Sequence, residues 1–522
     1  MFRINRLVNN DHKLNVFQNP LSIAFAFAFV RVIIYLIAGN NYGYFRDELY
    51  FLACADHLAW GYPDQAPLSI FLTWASRAVL GDSLYAIHLL PALAGALKII
   101  LTGLIVRELG GKRLAMLLAC LCVLVAPVYL GIDSLMSMNA YEPIFWMGCV
   151  LSYIWAVKRS DSRYWLLFGA SAGLGLMNKH SMVFFGAAVV VGLLLTRDRK
   201  VFTNAYFWLG GLLAFLLFLP NLVWQYQNNW ATLELLRNVQ ESGKNVVLSP
   251  QEFVWQQIFI LLPLTAPVWI AGIWYLIFDR DGKRFRTLGL AYIVLLVLMI
   301  VLKAKNYYLV PVYPMLFAAG GVFLENLVLR FRYGSTASIA YAILLAIAGV
   351  VFLPVAVPVL PVEKFVAYQH TLGIAPPKTE VGHNGPLPQI FGDRFGWEEM
   401  TEKTAEVYSS LPPDERAKTA IFAANYGEAG AIDHFGAKYG LPKAISGHQS
   451  YFLWGYPKDK DVKTLILLGQ TKADAEKACG RVDKSLAVGH PYAMQYERFN
   501  ILVCRDLKQP LAAIWPSVKF WN

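Results

Sequence analysis

From Leu21 onward long apolar stretches alternate with short polar connections, and the alternation stops near residue 360. A membrane-spanning helix needs roughly 20 apolar residues. The stretches that approach this length are 21–39, 84–106, 114–131, 138–157, 164–178, 181–196, 205–224, 253–278, 287–303, 307–329 and 336–360. Some, notably 164–178, are short enough to be tilted or broken. The connections alternate in character. Basic runs fall at Arg107/Lys112/Arg113, Lys158/Arg159/Arg163, Arg197/Arg199/Lys200, Arg280/Lys283/Arg284/Arg286 and Arg330/Arg332. With Arg3, Arg6 and Lys13 ahead of the first stretch, every second connection is basic, which the positive-inside rule places in the cytoplasm. An odd number of spans that begins inside ends outside.

Two of the outward connections are long. In the first, residues 40–83, the stretch 48–59 is amphipathic at helical spacing and 68–80 is apolar but short, so both are expected to lie along the membrane surface. The second, 225–252, is rich in Gln, Asn and Trp. Residues 361–522 differ in kind: short apolar runs (TAIFAA, VKTLILLG, FNILVC) alternate with helical patterns (EAGAIDHFGAKYG, KADAEKACG). The reading is a polytopic α-helical membrane protein of about eleven transmembrane helices, residues 1–360. A soluble, extracytoplasmic α/β domain, residues 361–522, follows. Met1–Asn19 is polar and the first apolar stretch lacks a small-residue cleavage site, so 21–39 reads as a retained helix.

Composition agrees. Of 522 residues 57% are hydrophobic and 16% charged, against about 25% charged in soluble domains; the mean hydropathy is +0.44. The net charge of +11 sits in short runs between apolar stretches, which points to a membrane and away from nucleic acid. The 15 Trp and 27 Tyr suit interfacial belts and a sugar-binding face. Cys54, Cys120, Cys122 and Cys149 lie in or beside apolar helices as buried thiols. Cys479 and Cys504 fall in the outer domain, where oxidising conditions permit a disulfide.

Candidate chemistry gathers on the outer face. Arg46-Asp47-Glu48 follows the first helix, and adjacent carboxylates in a semi-polar crevice suit a base of raised pKa, whereas the plainer reading makes Asp47 an N-cap. Gly61-Tyr62-Pro63-Asp64-Gln65-Ala66-Pro67-Leu68 reads as a rigid Pro-bounded turn. In Ser137-Met138-Asn139-Ala140-Tyr141-Glu142-Pro143, Pro143 suits a first helical turn and Glu142 there complements the dipole; Asp133 nearby reads as a solvated loop residue. Lys179, Lys303 and Lys305 are cations on the face that should be poor in them, as a lipid phosphate would require. Arg31 and Lys98 fall inside spans and carry no assigned role.

These motifs, in this order and on this face, resemble the GT-C glycosyltransferases of the PMT/ArnT-like type, a group that includes protein O-mannosyltransferases and the lipid A aminoarabinose transferase. Arg46-Asp47-Glu48-Leu49-Tyr50-Phe51, the Asp64-Gln65 turn, Glu142-Pro143, Gly175-Leu176-Met177-Asn178-Lys179 and Lys305-Asn306-Tyr307-Tyr308-Leu309-Val310-Pro311 carry the likeness over residues 20–330. Tyr426-Gly427-Glu428-Ala429-Gly430 and Ile445-Ser446-Gly447-His448 look like a bacterial subgroup. The resemblance implies an inverting transfer from a polyprenyl-phosphate sugar to a lipid A, polysaccharide, glycolipid or protein acceptor, at the outer face of the inner membrane. It implies Asp47, with Glu48 and Glu142, as the catalytic carboxylates. Arg46, Asp64, Gln65, Asn139, Lys179, Lys305 and Tyr308 would then bind substrate. Where the aminoarabinose transferase has Glu-Lys, this chain has Asp64-Gln65 and so lacks that phosphate-binding lysine. A divalent cation is considered in relatives, but the sequence offers no His-based site for one. A lipid or sugar transporter shares the helix count, but it does not call for an acidic pair in an outer loop or an outer domain. A non-catalytic assembly subunit would keep the fold with a degenerate site.

Overall fold

A computed structural model describes residues 19–376, 380–382 and 385–522; Arg3, Arg6 and Lys13 lie outside them. Each apolar stretch becomes helical, although among the described residues fewer than eleven single helices have the length and composition of a span. Among the described residues six segments are long and apolar enough to cross a membrane: Leu21–Ala38, Leu84–Glu108, Ala205–Gln227, Gly282–Val301, Asn306–Val328 and Gly334–Ala356. A seventh candidate is the pair Pro250–Ile260 and Pro263–Ile277, bent by 91°. The physical reason is local. Pro127 forces Ala126 to be extended (ψ 118°), splitting the expected 114–131 helix into Arg113–Val125 and Pro127–Ile132. Leu262, before Pro263, takes a positive φ and breaks the expected 253–278 helix. Tyr164–Asn178 and Met182–Leu194 are helices of 15 and 13 residues. The chain is nevertheless a multi-pass membrane protein. Its lipid-facing segments expose large apolar side chains, among them Phe29, Trp208, Leu212, Ile343 and Val350.

Helices approach one another closely where glycine removes the side chain, as is usual in membranes. A Cβ at Gly169 would stand 2.0 Å from the Gly210 carbonyl oxygen, and one at Gly320 1.8 Å from that of Val268. Glu325 reaches across to accept hydrogen bonds from the backbone N–H of Lys112, Leu114 and Ala115, satisfying the start of Arg113–Val125. Asp133 is not a solvated loop residue. It is 2% exposed, ion-paired with Lys98 Nζ at 2.7 Å and with Arg31 Nε at 3.7 Å, which accounts for both cations inside the bundle.

Strands β1 (Thr419–Ala423), β2 (Ala444–Ser446), β3 (Thr464–Leu468), β4 (Cys479–Val488) and β5 (Phe499–Leu507) form one sheet in the order β2-β1-β3-β5-β4. β1 lies parallel to β2 and β3, whereas β5 pairs antiparallel with β3 and β4. TAIFAA, VKTLILLG and FNILVC supply β1, β3 and β5, and the two helical patterns supply Tyr426–Phe435 and Lys472–Ala478. A Cys479–Cys504 disulfide joins β4 to β5.

The first long connection is covered in part: Leu68–Leu80 exposes Phe71, Trp74 and Val79, whereas Arg46–Asp56 is enclosed. Leu49 through Ala55 are all buried, because Arg46–Asp56 is covered by Tyr426–Phe435. Two glycines of the Tyr-Gly-Glu-Ala-Gly run make this possible. A Cβ at Gly427 would meet Arg46 Cγ at 2.3 Å, and one at Gly430 would meet the Leu49 backbone at 2.7 Å.

Candidate active site

Arg46, Asp47 and Glu48 open the helix Arg46–Asp56, and the N-cap is Phe45, so Asp47 does not cap it. Capping falls to Glu48, whose Oε2 accepts the Phe45 N–H at 2.9 Å. Its Oε1 accepts the Met136 N–H at 2.7 Å and faces His88 Nε2 at 2.7 Å. His88 Nδ1 meets the Gly39 carbonyl at 2.7 Å. That carbonyl can only accept, so Nδ1 carries hydrogen and a second proton lies between Nε2 and Oε1. Burial would raise the Glu48 pKa, but the contacts with His88 and the Met136 N–H bring it below the usual value. Glu48 is fully enclosed, and its oxygens join Phe45, Met136 and His88.

Asp47 points the other way. Its carboxylate is 41% exposed and accepts a hydrogen bond from Tyr426 Oη at 2.7 Å, with Arg46 Nε at 3.8 Å. Loss of solvation raises its pKa against the opposing effects of Arg46 and Tyr426. Arg46 itself is tied into the outer domain. It donates to Tyr496 Oη at 3.0 Å, lies 3.9 Å from Asp393 and sits over the Tyr426 ring at 5.3 Å. Asp64 accepts from Tyr50 Oη at 3.0 Å, and burial pushes its pKa up to about 7. The buried Gln65 amide has no hydrogen-bond partner among the described residues.

Glu142 and Pro143 lie beyond the first turn of Met138–Arg159, which corrects the first-turn expectation for both. Pro143 has no N–H for the Asn139 carbonyl, four residues back. Glu142 is buried, paired with Lys179 Nζ at 2.8 Å, and accepts a short hydrogen bond from Ser181 Oγ. Its two oxygens thus join Lys179 to Ser181. Lys179 also donates to Asn139 Oδ1 at 2.9 Å and lies over the Tyr308 ring at 4.5 Å. Lys305 is held by Glu380 at 3.1 Å.

The fold thus brings the Arg46/Asp47 edge, the Lys179/Glu142 pair and the Lys305/Glu380 pair around Tyr307, whose hydroxyl feels Glu380, Asp47 and Glu142 together. Three further residues join them. Tyr426 holds Asp47 and stacks between Tyr50 and His448, ring centres 4.7 Å apart on each side. Burial drives the His448 pKa down to about 3, so it is neutral, and Nδ1 accepts the Tyr426 N–H. Lys244, its pKa lowered by burial, lies within the fields of Glu380, Arg46, Lys305 and Asp47. A lone outer-face lysine is the signal that marked Lys179 and Lys305, and it would have found Lys244. Nothing in the local pattern says that Tyr426 folds back onto Asp47. Among the described residues no three His, Cys, Asp or Glu side chains converge as metal ligands; Asp47 and Asp64 have no third protein ligand to share with a cation.

Residues 64–224 match the family model described as dolichyl-phosphate-mannose-protein mannosyltransferase. The fold is that of ArnT from Cupriavidus metallidurans, a GT-C glycosyltransferase fold. The structure of that protein bound to undecaprenyl phosphate superposes with a TM-score of 0.60 at 14% identity, covering 92% of this chain and 97% of the other. Its apo state superposes at 0.56 with 14% identity, covering 92% and 98%. No curated protein sequence matches the chain.

Proposed function

We propose that this protein is an inverting glycosyltransferase. It moves a sugar from a polyprenyl-phosphate donor to an envelope acceptor at the outer face of a bacterial inner membrane. The observation that carries the reading is Asp47: a half-open carboxylate of raised pKa, held by Tyr426, on the face where Lys179, Lys305 and Lys244 gather. The similarity in fold to a protein whose structure holds undecaprenyl phosphate supports the donor class. The polyprenyl tail lies among the helices and its phosphate meets the lysines, with Tyr308 alongside. Asp47 takes the proton of the acceptor hydroxyl as that oxygen attacks C1. The C1–O bond to phosphate breaks on the opposite face, polyprenyl phosphate leaves, and the anomeric configuration inverts. The lysines stabilise the charge growing on the phosphate. Asp64, its pKa pushed up to about 7 and so about half protonated at that pH, is placed to bond a sugar hydroxyl. Arg46 is a positioning residue, with its charge balanced by Asp393 and Asp47.

The test is transfer by the full chain in proteoliposomes from a radiolabelled polyprenyl-phosphate sugar, with envelope glycans profiled in a deletion strain to name the acceptor. Label appearing in a new product supports the transferase. Label crossing the bilayer still attached to its lipid would establish the transporter reading instead.

A further inference from the structure

A second concave site lies on the outer domain, away from Asp47. It is an open pocket of about 290 Å³ between β1, β2, the helix Tyr426–Phe435 and the segment Tyr451–Lys460. Tyr451, Trp454 and Tyr456 supply aromatic rings to its lining, with Asp433 among them and Lys443 and Lys460 also lining it. Trp454 is fixed on both sides of its role: His57 stacks on it at 4.4 Å and Tyr451 meets it edge-on at 4.6 Å. Asp433 is fixed as well. Its Oδ1 accepts the Ala444 N–H at 2.8 Å and its Oδ2 accepts Tyr451 Oη at 2.8 Å, so each oxygen keeps a lone pair for another donor.

The chemistry of the lining selects a ligand class. A pyranose presents a flat C–H face and a rim of hydroxyls. Aromatic side chains receive the face, and a carboxylate with spare acceptor sites receives two hydroxyl protons. Of the two lysines at the rim, Lys443 contacts Asp56 at 3.4 Å and the Asp433 carbonyl at 3.2 Å. The volume lies at the small end of ligand pockets and suits one or two sugar units.

A row of rings runs from the pocket to the candidate active site. Tyr426, which holds Asp47, stacks on Tyr50 at 4.7 Å, and Tyr50 lies 6.5 Å from Trp454. Tyr50 Oη also bonds Ser450 Oγ at 2.6 Å, one residue before Tyr451. We infer that this pocket is a saccharide subsite for a remote sugar of the acceptor, so that the acceptor is itself a glycan or glycolipid. This rests on the transferase reading, but binding and turnover separate the two.

The experiment uses the full chain in detergent on an array of bacterial envelope oligosaccharides, with the strongest binder titrated by calorimetry. Trp454→Ala and Asp433→Asn are each expected to weaken binding at least tenfold, with unfolding midpoints measured alongside. In transfer assays both raise the acceptor KM far more than they lower kcat. Asp47→Asn, in contrast, keeps saccharide affinity and loses turnover. An array without a binder, or affinity unchanged in folded Trp454→Ala and Asp433→Asn, overturns the subsite. Binding lost with the acceptor KM unchanged overturns its assignment to the acceptor. An active Asp47→Asn enzyme whose glycan binding still needs Trp454 would remove the catalytic reading and leave the pocket.

Discussion

At Asp47 one substitution isolates charge from shape. Asp47→Asn keeps the side-chain size and still accepts from Tyr426 Oη, but it removes the negative charge and the basicity. Because Phe45 occupies the cap position, no helix-capping effect confuses the result. Turnover should fall by a factor on the order of 10² to 10⁴ with an unchanged unfolding midpoint; full turnover would dismiss Asp47 as the base. Glu48→Gln should show the opposite pattern. It leaves His88 facing a neutral amide in a buried site, at a cost of about 3 kcal/mol in stability. Turnover per folded molecule should fall far less than in Asp47→Asn. Lys179→Ala is expected to raise the donor KM by a factor on the order of 10 to 10², since a charge-assisted contact is worth roughly 1.5–3 kcal/mol. It also leaves Glu142 unpaired, so Lys179→Arg is the control that keeps the charge. Equal donor KM in wild type and Lys179→Ala would exclude that contact with phosphate.

Among elements, the junction between Arg46–Asp56 and Tyr426–Phe435 decides whether the site exists. Gly430→Leu places a side chain against the Leu49 backbone, where even a Cβ stands only 2.7 Å away. Overpacking of this kind costs about 1–3 kcal/mol. Cross-linking or proteolysis should find Arg46–Asp56 freed from the outer domain, with transfer lost although Asp47 is intact. A variant with native protection and turnover would show the junction to be dispensable. This junction also marks where the sequence stops being legible. Periodicity located the helices and strands, because lipid and sheet burial impose long apolar runs and short ones respectively. Asp47, Lys179 and Lys305 stood out because charge on an outer face is costly unless used. What periodicity cannot carry is contact between residues nearly 400 positions apart. Tyr426 and His448 were visible only as a motif, and Asp133 looked solvated because its partners Arg31 and Lys98 come from other helices. The helix breaks at Ala126 and Leu262 were encoded by Pro127 and Pro263, within stretches whose hydropathy alone suggested continuity.

The whole molecule carries several carboxylates held toward the neutral form. Burial pushes Asp64 and Glu428 up to about 7 and Asp433 up to about 6, each from an ordinary value near or below 4.5. The folded protein therefore retains protons that the unfolded chain has lost, and by linkage its stability falls as pH rises. The contribution is complete below about pH 4 and is lost through pH 6 to 7. Glu48 acts in the opposite sense, but only below its ordinary range, as pH falls through its lowered folded value. In detergent, the unfolding midpoint should decline between pH 5 and pH 8, and Glu428→Gln should flatten the decline. A midpoint that rises over that interval would mean these carboxyls are ionised in the folded state. Sidedness is the remaining property of the whole. The proposed orientation rests on the basic runs between apolar stretches, on the Cys479–Cys504 disulfide, which needs oxidising surroundings, and on the lysines gathered around Asp47. They support the proposal that the C-terminal region is extracytoplasmic. A reporter active only outside the cytoplasm, fused after Asn522, is therefore expected to be active, and one fused in the basic connection at Arg197–Lys200 silent. The reverse pattern would place Asp47 on the cytoplasmic side and remove the argument for a donor presented at the outer face.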